Sequence, residues 1–187
     1  DNSRVANWAA RSGTSTNAPV NLVAMDAIWR YWQNAANPAV GWANRVYDDS
    51  LWPTGRALLY VENSALPAAK NTRLTIGPMS YFFRTAFTFD GNPQGAALRL
   101  NALIDDGAVC YLNGQAFSWL GMDNGVLPER NGTANRTVGN AVAAGPFTVT
   151  VSNLVVGDNV FAVEVHQNSS TSSDIVMGAS LDVIEVK

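Results

Sequence analysis

Three sets of side chains in this sequence have types and spacings that could do chemistry. They are the adjacent acids Asp105-Asp106, the histidine within Glu164-Val165-His166-Gln167, and six tryptophans spread through a short chain. Inventory limits the enzymatic readings first. The chain has one His, His166, and one Cys, Cys110, so a Ser-His-Asp or Cys-His system has a single base. No Ser lies in a nucleophile-elbow motif to meet it. His166 is read as a hydrogen-bonding structural residue at a strand end, and Cys110 as a small buried hydrophobe between Val109 and Tyr111. A glycosidase pair could be drawn from Asp48, Asp49, Asp105, Asp106, Glu129, Glu164 and Asp174, but nothing in their spacing sets two of them across a cleft. Neither GxxxxGK[ST] nor a GxGxxG opening a helix is present, which removes the usual phosphate cradles. The chain is therefore read as non-catalytic.

Two kinds of binding stay open. Asp105, Asp106 and Asp174 offer hard oxygen ligands of the kind Ca²⁺ takes, without an EF-hand pattern. The alternative for the Asp pair is that both acids cap a turn through hydrogen bonds to backbone. The second kind is aromatic. A pyranose presents a face of C–H groups that packs on an indole, while its hydroxyls need Asn, Asp, Gln or Arg beside it. Trp42 and Trp119 are expected in loops among Asn, Asp and Gly, with Trp32 as a third platform and Asp123 and Asn124 as polar partners. The alternative for each loop Trp is an apolar anchor for the loop itself. Trp29 and Trp52 fall in strand-like contexts and are expected in the core.

The elements that must position these residues are short strands. Ala97 to Ile104 alternates Leu98, Leu100, Ala102 and Ile104, and Val109 and Tyr111 continue the period of two past Asp105-Asp106-Gly107. Asn113-Gly114 then signals a tight hairpin, because a type I′ turn needs positive φ at both central residues. Residues 22–32 read as two strand pieces around Met25-Asp26, and Leu58 to Val61 as another. Residues 62–78 read as a long connection. Tyr81 to Phe89 reads as an inner strand on which Arg84 is the exception. A second long connection runs from Ser118 to Gly145. It is followed by a strand face of Phe147, Val149 and Val151, a strand from Val160 to Val165, and a last strand pair from Ile175 to Val186. Many short strands separated by Gly, Pro and Asn turns indicate an all-β sandwich.

Four stretches carry a family resemblance: Asp105 through Gln115 (DDGAVCYLNGQ), Tyr47-Asp48-Asp49-Ser50-Leu51-Trp52, Tyr81 through Phe87, and Leu154 through Gln167. In order and spacing they resemble the galactose-binding-like jelly rolls of extracellular bacterial proteins, including sugar-binding domains attached to glycoside hydrolases. The resemblance covers residues 20 to 187 and implies an antiparallel jelly-roll β-sandwich preceded by a linker or tail over residues 1–19. Trp8 suggests that part of this tail packs on something. It implies that Trp52 plugs the core, that the acids before it shape a turn, and that a structural calcium is often held. It also implies a secreted or cell-surface setting, polysaccharide or oligosaccharide as partner, and covalently linked neighbouring domains. The alternative is a structural or adhesive sandwich that binds no glycan.

Composition narrows the partners further. A net charge of −3, with Lys and Arg scattered, gives no electrostatic reason to expect nucleic acid or an anionic membrane surface. No apolar stretch approaches the ~20 residues of a membrane-spanning helix. With one cysteine, neither an intrachain disulfide nor a cysteine-based zinc cluster can form. The chain opens at Asp1 without Met and is expected to be a mature or excised part of something larger.

Overall fold

The computed structural model describes residues 18–129 and 131–185. The expected tail up to residue 17, with Trp8, lies outside the described residues. Among the described residues twelve strands run in order: β1 (Val20–Val23), β2 (Ile28–Trp32), β3 (Thr54–Arg56), β4 (Leu59–Val61), β5 (Thr72–Arg73), β6 (Ser80–Phe89), β7 (Ala96–Asp105), β8 (Gly107–Leu112), β9 (Gln115–Leu120), β10 (Ala144–Thr150), β11 (Gly157–His166) and β12 (Ile175–Glu185). One sheet has the order β10-β7-β12-β4-β5, with β1 also on β12; the other has β3-β2-β6-β11-β8-β9. Pairing is antiparallel throughout except between β4 and β5. Consecutive long strands alternate between the two sheets, which is the connectivity of a jelly roll.

Alternation along the long strands builds the core between the sheets. Leu98, Leu100, Ala102 and Ile104 of β7 face Phe83, Phe87, Phe161, Val163 and Cys110 of the second sheet. Trp29 is fully buried there, edge-on to Phe161 at 5.2 Å. Trp52 is buried as well, 5.8 Å from Tyr47 and 5.6 Å from Trp32. Asp48 Oδ1 accepts the Ser50 N–H and shapes the turn that delivers Trp52.

The hairpin between β8 and β9 has the expected two-residue loop, with Asn113 at φ 50° and Gly114 at φ 90°. The Asn113 side chain does more than tolerate the turn. Its Nδ2 donates to Asn153 O and Asn159 Oδ1, and its Oδ1 accepts the Val160 N–H, so the hairpin tip is pinned to the start of β11.

Three expectations are corrected. Ile175 to Glu185 is one continuous strand, because β12 pairs with β7 along its length from Val176 to Glu185 and Gly178 sits inside that ladder. A Cβ at Gly178 would lie 2.1 Å from Leu58 Cδ2, so this Gly permits close packing within the strand. Trp119 lies in β9, opposite Val109, since the tight turn at Asn113-Gly114 returns the chain directly into pairing. Residues 62–78 are not wholly a loop, as Thr72-Arg73 runs parallel to β4.

Candidate functional site

The outer face of the second sheet, away from the core, is unusually polar and aromatic. Side chains of even number on β6 and β11 point there: Ser80, Phe82 and Arg84, beside Ala162, Glu164 and His166. Two long loops, 33–53 and 121–143, pack over it. Arg84 is 3% exposed, and its Nε donates to Asp49 Oδ2 at 2.7 Å. Its Nη1 donates to the carbonyls of Trp42 and Asn44, the latter at 3.1 Å. Arg30, paired to Arg84 across the sheet, holds the other Asp49 oxygen at 3.2 Å. The exceptional Arg on β6 therefore clamps the first loop onto the sheet.

Between the two loops lies an open cleft of about 290 Å³. Trp42 forms one wall, edge-on to Phe82 at 5.0 Å and to Tyr111 at 5.3 Å. Asn37, Asn44 and Leu127 stand at the cleft, and Tyr111 and Glu164 lie beneath. Tyr111 Oη donates to Glu164 Oε2 at 2.9 Å, and Glu164 Oε1 lies 3.0 Å from His166 Nε2. His166 Nδ1 faces the Gly132 carbonyl at 2.7 Å and Ser80 Oγ at 3.1 Å. A carbonyl can only accept, so that nitrogen carries a hydrogen and ties the second loop to the sheet. Burial pushes the Tyr111 hydroxyl well above its ordinary range, and the Glu164 charge adds to this, so Tyr111 stays a hydrogen-bond donor. The floor is a fixed array: one half-committed carboxylate beneath aromatic walls.

The residues singled out in the sequence are not gathered at one place. Trp42 is in the cleft, as a partly buried wall. Trp119 packs against the outer-face cluster, and its Nε1 donates to Val126 O at 2.8 Å, so its edge ties down the second loop. Trp32 sends its Nε1 to Ala36 O at 2.7 Å at the entry to the first loop. Asp123 is exposed and accepts from Asn135 Nδ2 at 2.6 Å beside a neighbouring hollow, and Asn124 is exposed in the same turn. Sequence reasoning did not place Tyr111, Phe82 or Leu127 at a site, and named Glu164 only among carboxylates at large. The available signal was a Glu within the apolar alternation of Val160 to Val165.

The acidic corner divides its two acids. Asp106 Oδ1 accepts the Val138 N–H at 2.6 Å and its Oδ2 accepts the Asn168 N–H at 2.8 Å, so this side chain caps the two loops it touches. Asp105 is 1% exposed, and no donor reaches either of its carboxylate oxygens. Its carboxyl oxygens, those of Asp174 and those of Glu62 supply ligand atoms within 4.8 Å of one another. Burial first, then the neighbouring Asp106, Asp174 and Glu62, push the Asp105 carboxyl up to about 8. Asp174 is raised too, by burial and by the charges of Glu62 and Asp106. Glu62, inside a stretch read as a variable connection, had no sequence signal.

No family model and no curated protein matches this sequence. Solved structures do match. Bacteroides uniformis β-glucuronidase 2, covalently bound to cyclophellitol-6-carboxylate aziridine, is similar over 90% of this chain and 18% of its own, with a TM-score of 0.57 and 14% identity. The β-glucuronidase of Ruminococcus gnavus in complex with D-glucaro 1,5-lactone is similar over 90% of this chain and 29% of its own, with a TM-score of 0.52 and 12% identity. A β-glycosidase from Bacteroides vulgatus gives 89% and 20%, with a TM-score of 0.50 and 15% identity. At these identities the likeness is one of fold. The chain spans between 18% and 29% of those enzymes' lengths.

Proposed function

We propose that this chain is a non-catalytic carbohydrate-binding module of a larger secreted or cell-surface protein, and that it takes sugar in the cleft between loops 33–53 and 121–143. The observation that carries this reading is the composition of the cleft: an indole wall at Trp42, with the Tyr111–Glu164 pair fixed beneath. Apolar surface for a ring face beside a few convergent polar groups is how compact ligand sites are generally built. At about 290 Å³ the cleft stands near the small end of ligand sites, which suits one or two sugar rings rather than a long buried chain. The fold shared with part of several glycosidases supports a setting in which a linked catalyst gains effective substrate concentration by tethering.

Affinity electrophoresis in soluble polysaccharides, followed by calorimetry with the oligosaccharides that retard the wild type, tests the reading. Trp42→Ala is expected to weaken binding by roughly 30-fold, the consequence of losing a contact of about 2 kcal/mol. Leu127→Asp, at an exposed rim position, is expected to weaken it without touching the core. Wild-type protein that migrates unchanged in every glycan rejects the reading.

A structural or adhesive sandwich is the second reading. The favouring observation is a run of nearly bare aliphatic side chains on the first loop: Val40, Val46 and Leu51, each more than 90% exposed. Light scattering that shows self-association, without sugar-dependent quenching of Trp fluorescence, would favour it.

A further inference from the structure

We propose that Glu62, Asp105 and Asp174 form a calcium site where the chain crosses from β7 in one sheet to β8 in the other. This site shares no residue with the sugar cleft, and it stands or falls independently of that reading.

The argument begins with what the carboxylates lack. Asp105 is 99% withdrawn from solvent with both oxygens unpartnered. Glu62, 9% exposed, has Oε1 taken by the Ser64 N–H at 2.6 Å, while its Oε2 is buried and unpartnered. Unpartnered buried carboxylate oxygens are costly, and Glu62, Asp105 and Asp174 each place one carboxylate oxygen within 4.8 Å of the others. Among the described residues, no Lys, Arg or His nitrogen lies within 4 Å of a carboxylate oxygen of any of the three. The nearby ammonium of Lys70 is committed elsewhere, to the carbonyls of Glu62, Asn63 and Ser64. Among the described residues, no protein cation pairs directly with the gathered carboxylates.

Geometry suits an ion there. Ligands opposite each other on Ca²⁺ lie about 4.6–5.2 Å apart, and these oxygens lie within 4.8 Å of one another. The donors are all carboxylate oxygen, which excludes the nitrogen and sulfur sets preferred by zinc. Mg²⁺ requires near-ideal octahedral geometry, whereas Ca²⁺ accepts irregular and bidentate carboxylates such as Asp105 offers with both oxygens free. Asp174 lines an open hollow edged by Ser172, Ser173 and Thr171, with room for water to complete the shell. Asp106 is not a ligand in this assignment, because two backbone N–H groups already occupy its oxygens.

The test uses the full chain, stripped with EDTA and dialysed into chelator-free buffer. Calorimetry with CaCl₂ is expected to show one site per chain. A hundredfold excess over Kd is expected to raise Tm by about 5–10 °C. Asp105→Asn is expected to fold, to melt at or above the stripped wild type because a neutral amide needs no proton taken up on folding, and to lose the calcium response. Asp174→Asn, at a half-exposed position, is expected to weaken binding at least tenfold with the fold intact; it decides the matter if the first variant does not fold. No heat and no Tm shift in the wild type at millimolar calcium overturns the proposal and leaves protons as the only balance for the cluster. A full calcium response in both variants overturns it too, as does an equal response to Mg²⁺.

Discussion

Asp105 and Asp106 are neighbours in sequence with opposite environments, and this difference is measurable. In the presence of EDTA, the Asp105 carboxyl sits at about 8 in the folded chain against an ordinary 3.8. The folded state therefore keeps a proton that the unfolded state has released across that window, in a cluster where Glu62, Asp174 and Asp106 all face it. Its stabilising contribution is full below about pH 4, declines as pH rises toward 8, and is flat beyond. Melting curves across this range should show that decline, and Asp105→Asn should flatten it. A wild-type Tm that rises through the window would mean that Asp105 is ionised and otherwise compensated. Cys110 gives a second test: fully buried, its thiol pushed up to about 12 by burial. It should stay inert to a thiol-reactive disulfide reagent at pH 8 in the native chain and react stoichiometrically once urea unfolds it.

Two local devices position the cleft. The first is the Arg84 clamp, which holds Asp49 and the carbonyls of loop 33–53. Arg84→Lys keeps the charge but loses the planar fork, so several carbonyls are left without a donor. Limited proteolysis should then cut within 33–53 at least several-fold faster than in wild type, with the β-sheet circular dichroism signal retained. The second is the hairpin at Asn113-Gly114. Gly114 sits at φ 90°, and a Cβ there would fall 1.8 Å from Asn44 Oδ1, which stands at the cleft. Gly114→Ala should cost about 1–2 kcal/mol in urea unfolding for the left-handed backbone alone. It should also displace Asn44, so sugar affinity falls further than stability predicts.

Across the whole chain, the two loops over the second sheet leave an outward-facing cleft in which charge plays a minor part. With a net charge of −3 and no basic stripe, glycan binding should change by less than roughly twofold as NaCl is raised from low to high concentration. A steep loss of affinity with salt would indicate a polyanionic ligand in place of a neutral polysaccharide.

The period of two along 97–104, 81–89 and 160–165, together with Asn-Gly turn chemistry, was enough to read the sandwich and its inner faces; Cys110 and Trp29 were legible from their strand neighbours, and Trp52, which lies between β2 and β3 rather than in a strand, from the turn that precedes it. These signals are local, because alternation and turn conformation depend on adjacent residues. The sites are not local. Tyr111 meets Glu164 only because β8 and β11 pair in one register, and Glu62 reaches Asp105 and Asp174 only because β4, β12 and β7 end side by side in one sheet. Which loop indole lines a cleft and which anchors a loop, and which acid of a pair is satisfied, were set by long-range register. No window of sequence contains that information.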